Sequence, residues 1–379
     1  MSPQILVSAG EASGDLYAAR LVERLRERLP EARFFGCAGP RMQAAGVEAV
    51  VDARSLAVVG LVEVLAHIPR IYGEFRRLCG AARRRRPALA VLTDSPDFHL
   101  RVASKLKHDG VPVVYLVAPQ VWAWRKGRLK TLRRNVDRLL CIFPFEEKFF
   151  RDNGVAADYL GHPLAGSVSA ATSRDEFFRR HRLPPDQPLI AILPGSRRGE
   201  IQRHIPPLRD AAAILGRQPT SFLLGSPRGV YSQQEWQRLL SGTSIRVVEA
   251  ETWDLLAHCD VALAASGTVT MEAALLGAPL VTFYRVTAVS WLLGKLLVDV
   301  PFYSMVNLVA GRKIVPELMQ DEMTGERLAS EARRLLEDDG ERRRMKQELA
   351  EVAARLASDG DPMERAANIV EGMMKSVPR

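Results

Sequence analysis

The chain is poor in residues that could staple it covalently or through a metal. Its 379 residues include four cysteines, Cys37, Cys79, Cys141 and Cys259, which are far apart and form no CxxC pair. That spacing argues against a disulfide framework and a zinc site, fits a reducing compartment, and leaves four small buried hydrophobes as the simplest reading. No His/Cys/Asp/Glu cluster has the spacing of metal ligands, so neither a metal nor another cofactor is expected. A P-loop, a GxGxxG turn and a GxSxG elbow are also missing, which argues against the nucleotide and hydrolase chemistries those motifs carry. No uncharged apolar run approaches the roughly 20 residues of a spanning helix. The strand-like Ile5–Ser8 has no basic region and apolar core before it, so no signal peptide is expected.

Apolar residues make up 47% and charged residues 26%, a balance that supplies two ordinary cores and excludes a mainly disordered chain. The 53 Lys and Arg against 44 Asp and Glu leave a net charge of +9. Such an excess points to an acidic partner: nucleic acid, an anionic membrane surface or a phosphorylated substrate.

Short apolar runs alternate with amphipathic stretches from the start. Ile5–Ser8 leads into a helical pattern at Asp15–Leu29, and Ala88–Leu92, Val113–Val117 and Leu139–Phe143 read as further buried strands. After a pause at Gly161-His162-Pro163 the pattern restarts with Leu189–Leu193, Ser221–Leu224, Ile245–Val248, Val261–Ala264 and Pro279–Thr282. This predicts an α/β protein of two doubly wound, Rossmann-like parallel-sheet domains, with ligands in a cleft at the carboxyl ends of the strands. The expected division is 1–165, 166–340, and C-terminal helices over 341–379 that pack back on the first domain or on a partner subunit.

Four turns carry candidate chemistry. In Ser8-Ala9-Gly10-Glu11-Ala12-Ser13-Gly14-Asp15 the glycines allow a sharp turn after a strand, and Ser13 or Asp15 caps the helix that follows. Leu193-Pro194-Gly195-Ser196-Arg197 follows a strand and opens a helix, so its N–H groups and the guanidinium of Arg197 suit a phosphate. Ala265-Ser266-Gly267-Thr268 has the same placement, with hydroxyls for a diphosphate and Glu272 within reach of a ribose diol. Two such helix starts in one domain favour a nucleotide diphosphate. Asp94-Ser95-Pro96-Asp97-Phe98-His99 lies just past a strand, where Asp94 can take a proton from an attacking hydroxyl or can be an ordinary turn aspartate. His99 reads either as a base or as a helix-start residue.

Two segments have the apolar and basic mixture of an interfacial helix. The first, over 56–75, presents Val58, Val59, Leu61, Val62, Leu65, Ile68, Ile71 and Tyr72 beside arginines, and Arg83–Arg86 follow. The second is Trp291–Leu297. Buried core or an oligomer contact explains either segment equally well. No recognition motif accompanies the arginine run, so nucleic acid ranks below membrane as its partner.

Taken together and in order, GEASGD at 10–15, Ala38–Met42, Asp94–Phe98, PQVWAW at 119–124, Leu193–Arg197, Ala265–Thr268 and Asn307–Gly311 resemble the lipid-A-disaccharide synthase family up to about Met319. The resemblance implies an inverting glycosyltransferase of GT-B fold, needing no metal. It implies transfer from UDP-2,3-diacylglucosamine to the 6-hydroxyl of 2,3-diacylglucosamine 1-phosphate (lipid X), giving a β-1,6-linked disaccharide 1-phosphate and UDP. It places the general base on Asp94, with Asp97 and His99 as assisting candidates. Nucleotide-sugar contacts fall on Ser13, Gly14, Arg197, Ser266, Gly267, Thr268, Glu272, Tyr284, Arg285 and Asn307. Where the family pattern has Asn after DxPDF this chain has His99, which either assists Asp94 or fills the space. The family also implies a cytoplasmic protein lying peripherally on the inner face of the inner membrane through 56–75, and a homodimer with exchanged C-terminal elements. The alternatives are another GT-B enzyme acting on UDP-N-acetylglucosamine, a muropeptide glycosyltransferase or a 2-epimerase, and more remotely a non-catalytic basic protein binding membranes or nucleic acid.

Overall fold

Strands buried on both faces read as unbroken apolar runs, and Leu89–Thr93, Leu189–Leu193 and Val261–Ala265 are buried at every position. They belong to two parallel sheets. The computed structural model describes residues 2–376 apart from 57–60, 289–290, 293, 295–297 and 299; for 12, 61–67 and 376 it describes the backbone alone. The chain divides into two units at Pro163/Leu164 and again at Arg355/Leu356, so the residues after Arg355 return to the first unit.

The first sheet comprises β1 (Gln4–Ser8), β2 (Arg33–Ala38), β3 (Val47–Asp52), β4 (Leu89–Thr93), β5 (Val113–Leu116), β6 (Arg138–Cys141) and β7 (Ala157–Tyr159), in the order β3-β2-β1-β4-β5-β6-β7. The second comprises β8 (Leu189–Leu193), β9 (Ser221–Ser226), β10 (Arg246–Glu249), β11 (Val261–Ala265), β12 (Leu280–Tyr284) and β13 (Glu317–Met319), in the order β10-β9-β8-β11-β12-β13. Both are doubly wound α/β sheets. Strand order reverses between β1 and β4 in one and between β8 and β11 in the other, which fixes where a crevice opens at their carboxyl ends.

Four strands were not anticipated. β2 carries Gly36 at a register shift against β3, which interrupts its apolar run. β3 has two exposed positions, and β7 and β13 are three residues each. The first helix runs over Ala12–Arg28, so Ser13 and Asp15 lie inside it and neither caps it. Asp15 instead accepts hydrogen bonds from the Gly39, Arg41 and Met42 amides, capping the neighbouring helix Pro40–Ala44.

The long helix Leu61–Arg85 carries most of the expected lipid-facing segment. Val58 and Val59 lie outside the described residues, as do the side chains of Leu61, Val62 and Leu65. Ile68 and Tyr72 are 50% and 60% exposed. Ile71 departs from expectation: it packs against the core with Phe75, because it lies on the face turned toward the sheet. Among the described residues no helix is long and apolar enough to cross a membrane.

The last helix, Pro362–Ser376, lies on Ala12–Arg28 and buries Met363, Ala366, Ala367 and Val370 in the core beneath β1. Arg28 of the first helix pairs with Glu364 and Glu371 of the last. The contact is therefore part of the first unit's core. Val370→Ala is expected to destabilise the protein by about 2 kcal/mol, the worth of a buried aliphatic group and its cavity, which denaturant unfolding followed by circular dichroism will read.

Candidate functional site

Each crevice holds a different chemistry. In the first unit the chain leaves β4 through Asp94 and Ser95, both at positive φ (50° and 37°). Such left-handed residues cost roughly 1–2 kcal/mol each, so the surroundings must hold them there. They do: the Asp94 carbonyl accepts from the Tyr115 hydroxyl at 2.5 Å and from His99 Nδ1 at 3.0 Å. The carboxylate is turned back toward β1, where Oδ1 accepts from the Gly10 amide at 2.8 Å and Oδ2 from the Glu11 amide at 3.1 Å.

Gly14 explains how the two loops approach so closely. A Cβ there would lie 1.7 Å from Asp94 Oδ2, so any other residue would expel the carboxylate. The GEASGD turn is thus a cradle for Asp94. Ser13 is exposed on the first turn of the helix beside it.

Burial raises the Asp94 carboxyl to about 7 against the pull of the two amides, leaving it poised to exchange a proton near neutrality. His99 is fully buried, and burial lowers it to about 4, so it is neutral at pH 7. Its Nδ1 faces a carbonyl and so carries the proton, leaving Nε2 to accept from the Ser8 hydroxyl at 2.8 Å. These two bonds tie β1 to the Asp94 turn. Asp97 is drawn into ion pairs with Arg125 and Arg128.

The second unit has a pocket of about 370 Å³ at the reversal between β8 and β11. Gly195, Ser196 and Arg197 enter from the turn after β8, and Ser266, Gly267 and Thr268 from the turn after β11; Glu200, Glu272 and Tyr284 are among the other residues that line it. The helices Arg198–Leu215 and Thr268–Leu275 begin at these turns, and neither has a side-chain cap. Their first amides are therefore available to an anion. Arg197 reaches Glu200 at 3.1 Å, and Glu200 accepts from the Tyr284 hydroxyl at 2.9 Å. Burial raises the Tyr284 phenol to about 12 and raises the Glu272 carboxyl. The Ser266 hydroxyl is spent on the Tyr303 carbonyl.

The structure does not bring Arg285 or Asn307 into this lining. Arg285 donates to the Gln320 and Met323 carbonyls. Asn307 is fully buried, donating to the Val315 carbonyl and Glu317 and accepting from the Ile314 and Val315 amides, so its polar atoms organise the chain before β13. Sequence reasoning missed Glu200, Tyr115 and His204. Glu200 resembles an ordinary first-turn acid, and Tyr115 sits within an apolar strand. His204 lies on the buried stripe of its helix, where Nδ1 donates to the Pro194 carbonyl at 2.7 Å and Nε2 accepts from the Arg285 amide at 3.0 Å. No metal-binding cluster exists among the described residues.

Comparison with known proteins matches this chain to a family. The family model described as Lipid-A-disaccharide synthetase covers residues 5–369. A lipid-A-disaccharide synthase of Solibacter usitatus is 60% identical over 379 residues, with 99% of this chain and 100% of the relative covered. One of Myxococcus xanthus is 44% identical over 372 residues, with 97% of each chain covered. Among solved structures, the UDP-GlcNAc 2-epimerase of Neisseria meningitidis bound to UDP-GlcNAc gives a TM-score of 0.64 at 13% identity, covering 98% of this chain and 100% of that one. A calicheamicin glycosyltransferase gives 0.63 at 16% identity, with 100% of both covered. At those identities the structural likeness establishes the fold, which is GT-B. Matched over nearly its whole length by the family model and by relatives this similar, the chain belongs to the lipid-A-disaccharide synthase family.

Proposed function

We infer that the chain transfers a diacylglucosaminyl group from UDP-2,3-diacylglucosamine to the 6-hydroxyl of 2,3-diacylglucosamine 1-phosphate (lipid X), releasing UDP, with Asp94 as general base. The observation that carries the mechanism is the Asp94 carboxylate, largely shielded, aimed by two backbone amides and raised to about 7. The acceptor oxygen attacks the anomeric carbon as the bond from that carbon to the β-phosphate oxygen breaks. The hydroxyl proton passes to Asp94, and the single displacement inverts the configuration.

In the second unit the amides of the turns at 195–197 and 266–268 and the Arg197 guanidinium suit the diphosphate and the charge that develops on it. Glu272 suits the ribose hydroxyls. Gly14, Arg285 and Asn307 shape the loops around these sites, and Ser13 is proposed as a nucleotide-sugar contact on the exposed first turn of its helix. We also propose that the chain works on the inner face of the inner membrane, its helix Leu61–Arg85 touching anionic lipid through Ile68 and Tyr72. A homodimer by exchange of Pro362–Ser376 would reuse the contacts that helix makes with Ala12–Arg28.

Four expectations follow from Asp94 and the exposed apolar positions. Asp94→Asn is expected to lower acceptor-dependent UDP release by about 10²- to 10⁴-fold while UDP binding, measured by calorimetry, persists. Release from plain UDP-N-acetylglucosamine but not from the acylated donor would favour an epimerase or muropeptide transferase instead. In the wild type kcat/KM is expected to rise with pH and level off above about 7, where the base is ionised. Stability runs the other way. The folded protein holds the Asp94 proton between about pH 4 and 7, where the unfolded chain has lost it, so this contribution fades as pH rises through 7. The Tm of Asp94→Asn relative to wild type is therefore expected to be higher at pH 8 than at pH 4. Finally, Ile68→Ser with Tyr72→Ser is expected to reduce sedimentation with anionic vesicles and leave UDP binding intact; undiminished sedimentation would remove the membrane role from this helix.

A further inference from the structure

The loop after β5 sets two guanidiniums against one indole. Arg125 lies 4.4 Å and Arg128 5.3 Å from the centre of the Trp124 ring. Both also donate to a single carboxylate, that of Asp97: Arg125 Nη1 at 2.8 and 3.0 Å, and Arg128 through Nη2. Arg125 takes up this position at φ 56°, a left-handed conformation that residues with side chains avoid. Arg128 is held more deeply, its side chain 13% exposed, while Asp97 is 69% exposed.

Two positive charges sharing one ring and one carboxylate leave the cluster with a net charge of +1. Each guanidinium meets Asp97 through one nitrogen, so most of its five donors face elsewhere. Paired planar forks of this kind match a phosphate, and its second negative charge answers the +1 that Asp97 leaves. The Trp124 ring attracts both guanidiniums and so holds them side by side.

The cluster stands beside the proposed base. Asp97 lies in the first turn of the helix Pro96–His108, three residues after Asp94. Tyr115, whose hydroxyl holds the Asp94 carbonyl, feels the charges of Asp94, Arg128 and Asp97 together. All of these residues belong to the first unit, at the carboxyl edge of its sheet.

The geometry points to Arg125 and Arg128 as the site for a phosphate monoester on the acceptor sugar, with Asp97 as the built-in counter-ion that the phosphate displaces. This assignment rests on the acceptor named above. It makes the two arginines specificity residues: they select an acceptor by its phosphate and orient its hydroxyl toward Asp94. It also gives Asp97 a competitive part, holding both side chains in place when no acceptor is bound.

The test compares kcat/KM, read as UDP release from the acylated donor, for 2,3-diacylglucosamine 1-phosphate and for the same sugar lacking phosphate. The wild type is expected to prefer the phosphorylated acceptor by at least about tenfold, and Arg125→Gln/Arg128→Gln to lower that preference by about 10- to 100-fold, chiefly through acceptor KM. The single, exposed Arg125→Gln should show a smaller fall in the same direction, which keeps the test open if the double variant folds poorly. Asp97→Asn should keep or raise the preference. A preference unchanged in folded arginine variants, or one that falls as far in Asp97→Asn, would overturn the site and leave a structural ion pair. UDP release without any preference in the wild type would overturn the site alone. No release with either acceptor would overturn the acceptor reading and the site with it.

Discussion

A parallel sheet that adds strands first on one side of its opening strand and then on the other must separate two neighbouring loops. The turns after β1 and β4 run to opposite faces of the first sheet, and those after β8 and β11 do the same in the second. The Asp94 cradle and the anion-lined pocket each occupy one of those two gaps. The first is filled by a carboxylate and the second is left open as a pocket lined by uncapped helix starts. The two gaps share one further device. A buried histidine on the helix beyond the turn donates Nδ1–H to a carbonyl of that turn: His99 to Asp94 and His204 to Pro194. Burial lowers the pKa of both rings, so each works as a neutral bracket with one donor and one acceptor.

Two opposed effects set the reactivity of Asp94. The amides of Gly10 and Glu11 favour its ionised form and burial favours its protonated form, and burial is the larger. A carboxylate with more donors would be too weak a base, and an exposed one would ionise far below neutrality. Gly14 decides the balance by what it lacks, since without a Cβ the carboxylate can press against the helix start and lose its solvent.

The sequence made the sheets legible where strands are covered on both faces, and β8 was read to the residue. It failed where a strand was short or broken, as in β2 with its glycine and in the three-residue β7 and β13. The turns at 195–197 and 266–268 were readable because a strand, small residues and a helix start follow one another locally in the sequence. What stayed hidden is long-range. Asp15 caps a helix 24 residues further on rather than its own, and Tyr115 reaches back 21 residues to Asp94. The resemblance implies a ligand contact for Asn307, and what the sequence did not show is that its side chain makes four hydrogen bonds within ten residues along the chain.

The helix Pro362–Ser376 completes the core of a unit whose first strand begins at Gln4, while all of the second unit lies between them in the chain. On the ribosome the residues of the first sheet emerge early, yet Leu21, Val22 and Leu25 of the first helix must wait for Ala366, Ala367 and Val370 to be made. The second unit is continuous and can close on its own as it emerges. The N-terminal half is thus the last to be finished, and a chain that stalls or is truncated before Pro362 exposes an apolar helix face next to the strand that carries the Asp94 cradle.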